Sequence, residues 1–210
     1  VRYDFVKTVN ESLGGDVIKV ALVYNALAVT EFGTPATITD YPFEYHNRPP
    51  LAQTFRAIET GERLTVAINH FRSKGCSRSA DEANKDQQDG QGCFNERRVQ
   101  AAEAVSAWLA THPTGIADDD VLIIGDLNAY NMEDPIAKLQ QAGFVDLAQS
   151  RHGSTSYSYA YKGEIGALDH ALASEALNAK VVAVTEWHIN ADEPTVLDYN
   201  MEYKSDDKLI

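Results

Sequence analysis

The chain has 210 residues, a length that suits one domain with a sizeable core, and we predict a single domain over residues 1–210. Its 18 Lys and Arg stand against 31 Asp and Glu, and the formal net charge of −13 argues against a surface that binds nucleic-acid phosphates over its whole area. No apolar run is long enough to span a bilayer, so we expect no membrane partner.

The hydrophobic pattern alternates between strand-like and helix-like segments, without repeats or low-complexity linkers, and therefore predicts an α/β fold. Strands are predicted at residues 17–25, 51–59, 63–69, 120–125, 156–161, 168–173 and 180–189. The linker at residues 60–62 is short enough to make a hairpin of the second and third strands. Helices are predicted at residues 95–111, where apolar residues recur every three to four positions, and from Asp134-Pro135 to Gly143.

The most informative stretch follows the apolar run at residues 121–124, which is typical of a strand buried on both faces. Asp126 and Asn128 come directly after this strand and lie on the same side of its pleat, at the end where open α/β sheets bind ligands. An Asp takes a proton from water or holds a divalent cation, and an Asn donates to a phosphate oxygen. A strand that ends in an ordinary Asp-x-Asn turn is the structural alternative.

A second predicted strand ends in Asn69 and His70 and leads into a Ser- and Gly-containing loop that carries Arg72 and Lys74. Histidine moves protons near neutral pH, and cations on such a loop suit a phosphate. We therefore predict a catalytic role for His70 and phosphate binding by Asn69, Arg72 and Lys74, with a buried core histidine as the alternative. The stretch at residues 72–98 holds six cationic against five acidic side chains, so positive charge concentrates beside this candidate site.

A third predicted strand carries Asp169 and His170. The carboxylate of Asp169 lies among apolar neighbours and needs a polar partner, which makes it a candidate for the catalytic set. His170 points to the opposite face of the same strand, and we interpret it as structural.

Cys76 and Cys93 are the two cysteines of the chain, and the residues between them carry almost no apolar side chains. Such a segment cannot order itself by burial, so we predict a disulfide that closes this loop and stabilises it by roughly 3 kcal/mol. A disulfide places the protein outside the reducing cytosol, whereas two free thiols remain the alternative. Two sulfurs without Cys-x2-Cys spacing argue against zinc.

Tyr157, Tyr159 and Tyr161 alternate with small residues, as the aromatic face of an antiparallel strand does. A position in the core or on a sheet face is the simpler interpretation. A platform on which nucleic-acid bases stack is the functional alternative.

The order of these motifs resembles the endonuclease/exonuclease/phosphatase superfamily, the metal-dependent phosphodiesterases that include DNase I. The blocks at residues 69–76, 89–93, 125–130 and 187–194 are most similar to the secreted bacterial extracellular nucleases of that superfamily. The role of the last block, residues 187–194, stays unassigned. The resemblance implies a DNase I-like four-layer sandwich, in which two packed mixed β-sheets are flanked by helices.

The resemblance also implies that the protein hydrolyses phosphodiesters with a divalent cation, Mg²⁺ first and Mn²⁺ or Ca²⁺ as alternatives. Asp126 and Asn128 would hold the metal, and Asp126 would also position and deprotonate the attacking water. Asn128 and Asn69 would donate hydrogen bonds to the phosphoryl oxygens, and His70 would stabilise the developing charge or protonate the leaving oxygen. Asp169 would orient an imidazole or support the metal.

Two parts of the superfamily pattern have no counterpart here: a metal-binding Glu in an N-terminal strand–helix–strand unit, and a C-terminal Ser-Asp-His strand. The stretch Ser205-Asp206-Asp207 is no substitute, because no His follows it. We expect a fragment of a larger nuclease, truncated at both ends, with weak or no activity. Exposed edge strands of a truncated sheet would favour dimerisation.

The expected function is that of a secreted or extracellular nuclease that degrades DNA, with RNA as a second substrate. One alternative is a phosphatase or phosphodiesterase of the same superfamily that acts on lipid or inositol phosphates. The other is a nuclease-like module without catalytic activity. Neither alternative has a sequence feature of its own here, since the apolar membrane-facing element is missing and the polar residues at the strand ends are present.

Overall fold

The computed structural model describes residues 1–8, 13–44, 47–77, 80–161, 163–188 and 191. Within these ranges the strands are β1 (Tyr3–Phe5), β2 (Val23–Asn25), β3 (Val29–Thr37), β4 (Arg48–Ala57), β5 (Arg63–His70), β6 (Val121–Asp126), β7 (Phe144–Asp146), β8 (Tyr159–Tyr161), β9 (Glu164–Gly166) and β10 (Asp169–Ser174). The α-helices are α1 (Asn95–Leu109), α2 (Asp134–Gln141), α3 (Leu147–His152) and α4 (Glu175–Asn178).

A six-stranded mixed sheet organises the molecule, with the strand order β3-β4-β5-β6-β10-β7. Strands β5 and β6 run parallel, joined by a crossover through α1, and the other neighbours in the sheet are antiparallel. Two further sheets, β1-β2 and β8-β9, have two antiparallel strands each. The parallel pairing places the C-terminal ends of β5 and β6 side by side, and the site described below lies there.

The helical face of the sheet holds one of two hydrophobic clusters. Ala67, Ile123 and Leu172 point from the central strands toward this face and are fully buried. Helix α1 contributes Ala101, Ala102, Val105 and Leu109, and α2 contributes Ile136 and Leu139. The predicted spacing of apolar residues in α1 therefore identifies its buried face, apart from Arg98, which is buried there as well.

The opposite face of the sheet is covered by the β1-β2 sheet and the segment before β2. Tyr24 of β2 contacts Phe55 of β4 with ring centroids 5.1 Å apart, and Leu13 and Leu22 pack into the same cluster. Leu122 and Ile124 line a cavity of about 420 Å³ on this side. The apolar run of β6 is thus buried completely on the helical face and partly on the other.

The predicted fold class, mixed sheets flanked by helices in an α/β sandwich, is confirmed. The hairpin between β4 and β5 is present, with Arg56 opposite Arg63, and α1 and α2 lie where the sequence predicts them. Helix α2 begins with Pro135 in its first turn, although Glu133 rather than Asp134 is the residue that precedes it.

Three predictions of strands need correction. The predicted strand at residues 156–161 shortens to β8. Residues 17–22 form no strand, so the predicted strand at 17–25 shrinks to β2. Residues 180–188 also form none, because they run along α3 rather than beside a strand: the Val181 and Val184 carbonyls contact the Arg151 and His152 side chains. Strand β3 was not predicted at all. Within the described part of the chain, none of the helices combines the length and the apolar character that a bilayer crossing requires.

Candidate active site at the ends of the central strands

Four charged or titratable residues form one row across four neighbouring strands. Arg48 of β4 pairs with His70 of β5, His70 is in register with Asp126 of β6, and Asp126 pairs with Asp169 of β10. Residues in register project to the same face of a sheet, so the four side chains converge on the side away from α1 and α2. We call this set the catalytic row. It unites three predicted catalytic residues with Arg48, which lies before the predicted strand at residues 51–59 and was not predicted as a site residue.

A glycine permits the close approach of the strands beneath the row. Gly125 has a φ of +127°, and a Cβ atom at this position would lie 2.0 Å from the carbonyl oxygen of Asn69. Any side chain would therefore force β5 and β6 apart. The glycine of the Gly-Asp-Leu-Asn stretch is thus required by the sheet that brings His70 next to Asp126.

The electrostatics of the row set the ionisation of its central members. The His70 Nε2 atom lies 3.5 Å from Asp126 Oδ2. The pKa of Asp126 is raised to about 6, mainly by burial and also by the neighbouring Asp169 charge, while the hydrogen bond from the Asn128 amide opposes this rise. Burial also lowers the pKa of His70, with Arg48 acting in the same direction. At neutral pH the row therefore holds a neutral imidazole beside a carboxylate that ionises at unusually high pH.

Arg48 brings a fixed cation to one end of the row. Its Nε atom lies 3.3 Å from Asp16 Oδ2, and its guanidinium donates to the Phe71 carbonyl at 3.5 Å. Its side chain is only 12% exposed. An arginine held at the mouth of such a site suits an anionic substrate, because its fork of donors matches phosphate oxygens.

The turn after β6 is built by Asp126 and Asn128 themselves. The Asn128 backbone amide donates to Asp126 Oδ1 at 2.8 Å, and Asn128 takes a left-handed φ of 49°. Its side-chain amide nitrogen donates to the Phe71 carbonyl at 3.1 Å and so ties this turn to the chain that leaves β5. One of the two N–H groups of that nitrogen is therefore engaged by the protein, and the amide oxygen is the atom of Asn128 suited to a metal.

A buried histidine–aspartate pair anchors the same turn from the other face. His170 Nδ1 lies 2.6 Å from Asp146 Oδ2, and His170 Nε2 lies 2.8 Å from the Ala129 carbonyl oxygen. A backbone carbonyl only accepts, so Nε2 donates to it, and a further proton is shared between Nδ1 and the Asp146 carboxylate. The sequence-based interpretation of His170 as structural agrees with this arrangement. Its particular role is to hold the turn that carries Asp126 and Asn128.

Asn69 lies outside the catalytic row. Its side chain points to the helical face, is 2% exposed, and donates through Nδ2 to the Ala67 carbonyl at 2.9 Å. Adjacent residues of a strand face opposite ways, so a strand that presents His70 to the row turns Asn69 away from it. The predicted contact between Asn69 and a phosphate is corrected accordingly.

The predicted disulfide between Cys76 and Cys93 is present. It is not the only tie on its loop, because Arg98 of α1 is completely buried and donates to the carbonyls of Gln91, Cys93 and Arg72 at 2.8, 2.8 and 3.3 Å. Burial lowers the pKa of Arg98 to about 10. The buried Arg98 guanidinium therefore holds this loop in place, and the sequence pattern of α1 did not predict that role.

The two predicted phosphate-binding cations of this loop are already engaged by protein groups. The Lys74 ammonium pairs with Glu133 and lies 4.9 Å from the ring centroid of Tyr130. The Arg72 guanidinium lies over the ring of Phe94 at 4.4 Å. A phosphate would have to compete with these partners, as it would with Asp16 at Arg48, and Arg48 is the only one of these three cations that belongs to the row.

The implied divalent cation fits the carboxylates of the row. Asp126 and Asp169 are in register on adjacent strands, and the raised pKa of Asp126 shows that its negative charge is poorly compensated by the protein. Mg²⁺ is commonly held by one or two carboxylates together with water and substrate phosphate, which this pair can supply. In the described ranges, no group of three or more His, Cys, Asp or Glu side chains is placed to bind a metal by itself.

Part of the block at residues 187–194 lies outside the described residues, namely 189–190 and 192–194, and so does the stretch at 205–207. Of the rest, Trp187 is largely exposed, and the His188 ring stacks on Tyr157 with centroids 3.8 Å apart. This contact places His188 next to the segment that leads into β8.

A family model described as the Endonuclease/Exonuclease/phosphatase family matches residues 19–195. Among solved structures, the human Nocturnin catalytic domain is similar at a TM-score of 0.55 and 16% identity, over 74% of this chain and 52% of that one. A mannosyl-6-phosphatase from Bacteroides thetaiotaomicron is similar at a TM-score of 0.54 and 14% identity, over 83% of this chain and 63% of that one. A humanized D. rerio TDP2 is similar at a TM-score of 0.51 and 13% identity, over 73% of this chain and 55% of that one.

At these identities the structural likeness concerns the fold. This chain spans between 52% and 63% of the length of the three structures. No curated protein matches the chain significantly in sequence.

Proposed function

The chain belongs to the endonuclease/exonuclease/phosphatase family, whose members are metal-dependent phosphoesterases, and we propose that it takes part in the hydrolysis of nucleic-acid phosphodiesters, with DNA as the first substrate. The catalytic row carries this proposal. It brings four groups together on one face of the sheet, at the C-terminal ends of β5 and β6. They are the buried carboxylate of Asp126 with its raised pKa, the carboxylate of Asp169, the neutral imidazole of His70 and the guanidinium of Arg48. Hydrolysis of a phosphodiester requires groups of these kinds.

Asp126 and Asp169 would hold the divalent cation, with Mg²⁺ favoured because the available ligands are hard oxygens. A bound cation neutralises charge on the phosphoryl group and makes its water ligand more acidic. The carboxylate of Asp126, which titrates near pH 6 in the metal-free protein, is suited to orient the water and receive its proton.

His70 and Arg48 would serve the phosphoryl oxygens. The lowered pKa of His70 keeps its ring neutral at pH 7, so it donates a hydrogen bond from Nε2–H while charge develops on the phosphorus centre. Arg48 supplies a permanent positive charge at the same face. His170 and Asp146 act only through the turn that they anchor, and they hold Asp126 in place while the substrate binds.

We propose that the protein works outside the cytosol, since the Cys76–Cys93 disulfide persists only in an oxidising compartment. Cleavage of supercoiled plasmid DNA with MgCl₂ or MnCl₂ tests the activity. We expect Asp126→Ala to abolish the cleavage, whereas Asp119→Ala, at an exposed carboxylate before β6, retains it. Equal rates for Asp126→Ala and the unmodified protein would contradict the mechanism, and hydrolysis of sphingomyelin or inositol phosphates in place of DNA would reassign the substrate.

A further inference from the structure

A hairpin beside the catalytic row exposes two aromatic rings that the proposed mechanism does not use. Tyr159 and Tyr161 lie on β8, with side chains 43% and 54% exposed respectively. Their ring centroids are 6.2 Å apart, and their planes differ by 15°. Tyr157, the first tyrosine of the predicted alternating set, instead stacks on His188. The structure thus divides the set, and its exposed pair lies on a sheet face rather than in the core, as one part of the simpler interpretation had it.

A third ring extends this pair toward the catalytic row. Tyr159 is opposite Gly166 in the β8-β9 pairing, and a Cβ atom on Gly166 would lie 2.7 Å from the Tyr130 ring. Directly paired residues share a face of a hairpin, so the Tyr130 ring occupies the place beside Tyr159 that a side chain on residue 166 would fill. Tyr130, Tyr159 and Tyr161 therefore lie along one surface, which we call the tyrosine row.

Two segments connect the tyrosine row to the catalytic row: the turn that carries Tyr130 and the start of β8. Tyr130 follows Asn128 by two residues in the turn after β6. At the start of β8, the Ser158 hydroxyl accepts hydrogen bonds from the backbone amides of Leu168 and Asp169 at 3.0 and 2.9 Å. A group bound on the tyrosines is thereby held at a fixed place relative to Asp126 and Asp169.

We propose that the tyrosine row binds the bases of single-stranded DNA whose phosphodiester lies at the catalytic row. That the ligand is DNA rests on the proposed function. Exposed aromatic faces stack on any base, and they reach bases that a duplex does not already stack. The ring spacing of 6.2 Å is close to twice the rise of about 3.4 Å per nucleotide of a stacked strand.

The row also explains how an acidic protein can retain a nucleic-acid strand. With a net charge of −13, the surface as a whole repels phosphates, so contacts that do not depend on charge are needed. Base stacking is such a contact. It predicts weak dependence of this part of the affinity on salt, in contrast to a site made of surface lysines.

Binding of a fluorescent 12-nucleotide single strand, measured by anisotropy in EDTA, tests the proposal without requiring cleavage. Substitution of both exposed rings, Tyr159→Ala with Tyr161→Ala, should raise Kd by about 25-fold, taking about fivefold for each stacked base. The double variant Tyr159→Phe with Tyr161→Phe keeps the rings and should bind like the unmodified protein. Tyr3→Ala, at an exposed tyrosine of β1, is the matched control and should change nothing.

A base-free oligomer of the same length and charge separates stacking from attraction of the backbone. We expect the unmodified protein to bind it as weakly as the double alanine variant binds the complete strand. This comparison needs no variant, so it decides the proposal even if the alanine variant folds poorly by circular dichroism. Equal binding of base-free and complete strands, or wild-type affinity in a folded alanine variant, would overturn the proposal. Tighter binding of single-stranded RNA than of DNA would overturn its choice of strand.

Cleavage assays distinguish this inference from the proposed function. If the proposed function holds, the alanine variant should cleave single-stranded DNA with a raised KM and an unchanged kcat, because the rings touch bases and not the reacting atoms. If the protein cleaves no phosphodiester at all, the proposed function fails while base-dependent binding in EDTA still stands or falls on its own. A fall in kcat at unchanged KM would contradict a role in binding bases.

Discussion

The ionisation of Asp126 gives the sharpest test of the site, because it links the raised pKa to the stability of the metal-free protein. We consider Asp126→Asn, which preserves the shape of the side chain and the acceptor for the Asn128 amide, at 2.8 Å, but removes the charge. The carboxylate is 26% exposed and has His70 Nε2 at 3.5 Å. In the absence of metal its negative charge is unfavourable in the folded state, because burial and the neighbouring Asp169 charge both raise its pKa.

The sign and the size of the effect follow from the two pKa values. The pKa of Asp126 is about 6 in the folded protein, against 3.8 for a free carboxyl group, so the folded state binds the proton more tightly. Stability contributed by this proton is present at low pH and is lost as pH rises from about 4 to about 6. A difference of about two in pKa corresponds to about 3 kcal/mol. An asparagine does not ionise, so Asp126→Asn avoids this loss.

Urea unfolding in EDTA at pH 4 and pH 8 measures the prediction. We expect Asp126→Asn to unfold like the unmodified protein at pH 4 and to be more stable by up to about 3 kcal/mol at pH 8. Adding MgCl₂ at pH 8 should stabilise the unmodified protein and leave the variant unchanged, since the cation binds the carboxylate. Asp119→Asn, at an exposed position, should show neither effect. Lower stability of Asp126→Asn at pH 8 would refute the reasoning, because it would mean that the charge is favourable in the fold.

Three further predictions concern the parts that support the site. Arg98→Met removes the donors to three loop carbonyls and should lower the free energy of unfolding by about 3 kcal/mol or more, whereas Arg56→Met, at an exposed arginine, should cost less than about 1 kcal/mol in the same urea titration. Reduction of the Cys76–Cys93 disulfide should permit protease nicking between residues 77 and 92 while the circular dichroism of the sheets persists; unfolding of the whole chain would show that the bond is a global tie. His170→Leu removes the donors to the buried Asp146 Oδ2 atom and to the Ala129 carbonyl, leaving Asp146 only the Gln149 amide at Oδ1, and should cost about 3 to 5 kcal/mol; an unchanged melting temperature would contradict the anchoring role of this pair.

Local patterns in the sequence predicted the central elements well. Strands β5 and β6 and helices α1 and α2 were found because their apolar residues repeat with the periods of strand and helix, and because turn or capping residues bound them. Strand β3 was missed for a local reason. Gly33, with a φ of +81°, and Pro35 interrupt it, and its register shifts between Phe32 and Ala36. Such an edge strand is specified by its pairing with β4 rather than by its own composition.

Some features of the site were within reach of the sequence and others were not. The alternation of side chains along β5 already implies that Asn69 and His70 face opposite ways, so the placement of Asn69 follows from strand geometry alone. The role of Arg98 does not, because the burial of this arginine depends on how the loop folds back over it: two carbonyls come from the segment just before α1 and the third from Arg72, 26 residues away.

The residues that lie at the strand ends, and so the chemistry that the protein can present, can be predicted from the amino-acid pattern: His70, Asp126 and Asp169 each sit within or directly after an apolar run. That these residues share one row, and that Arg48 joins them, could not be predicted in this way. The row depends on strand order and register, which are set by the parallel pairing of β5 with β6 and the antiparallel pairings on either side. A shift of one residue in any of these pairings would turn a whole strand over, and register is fixed by burial of both sheet faces rather than by any local motif.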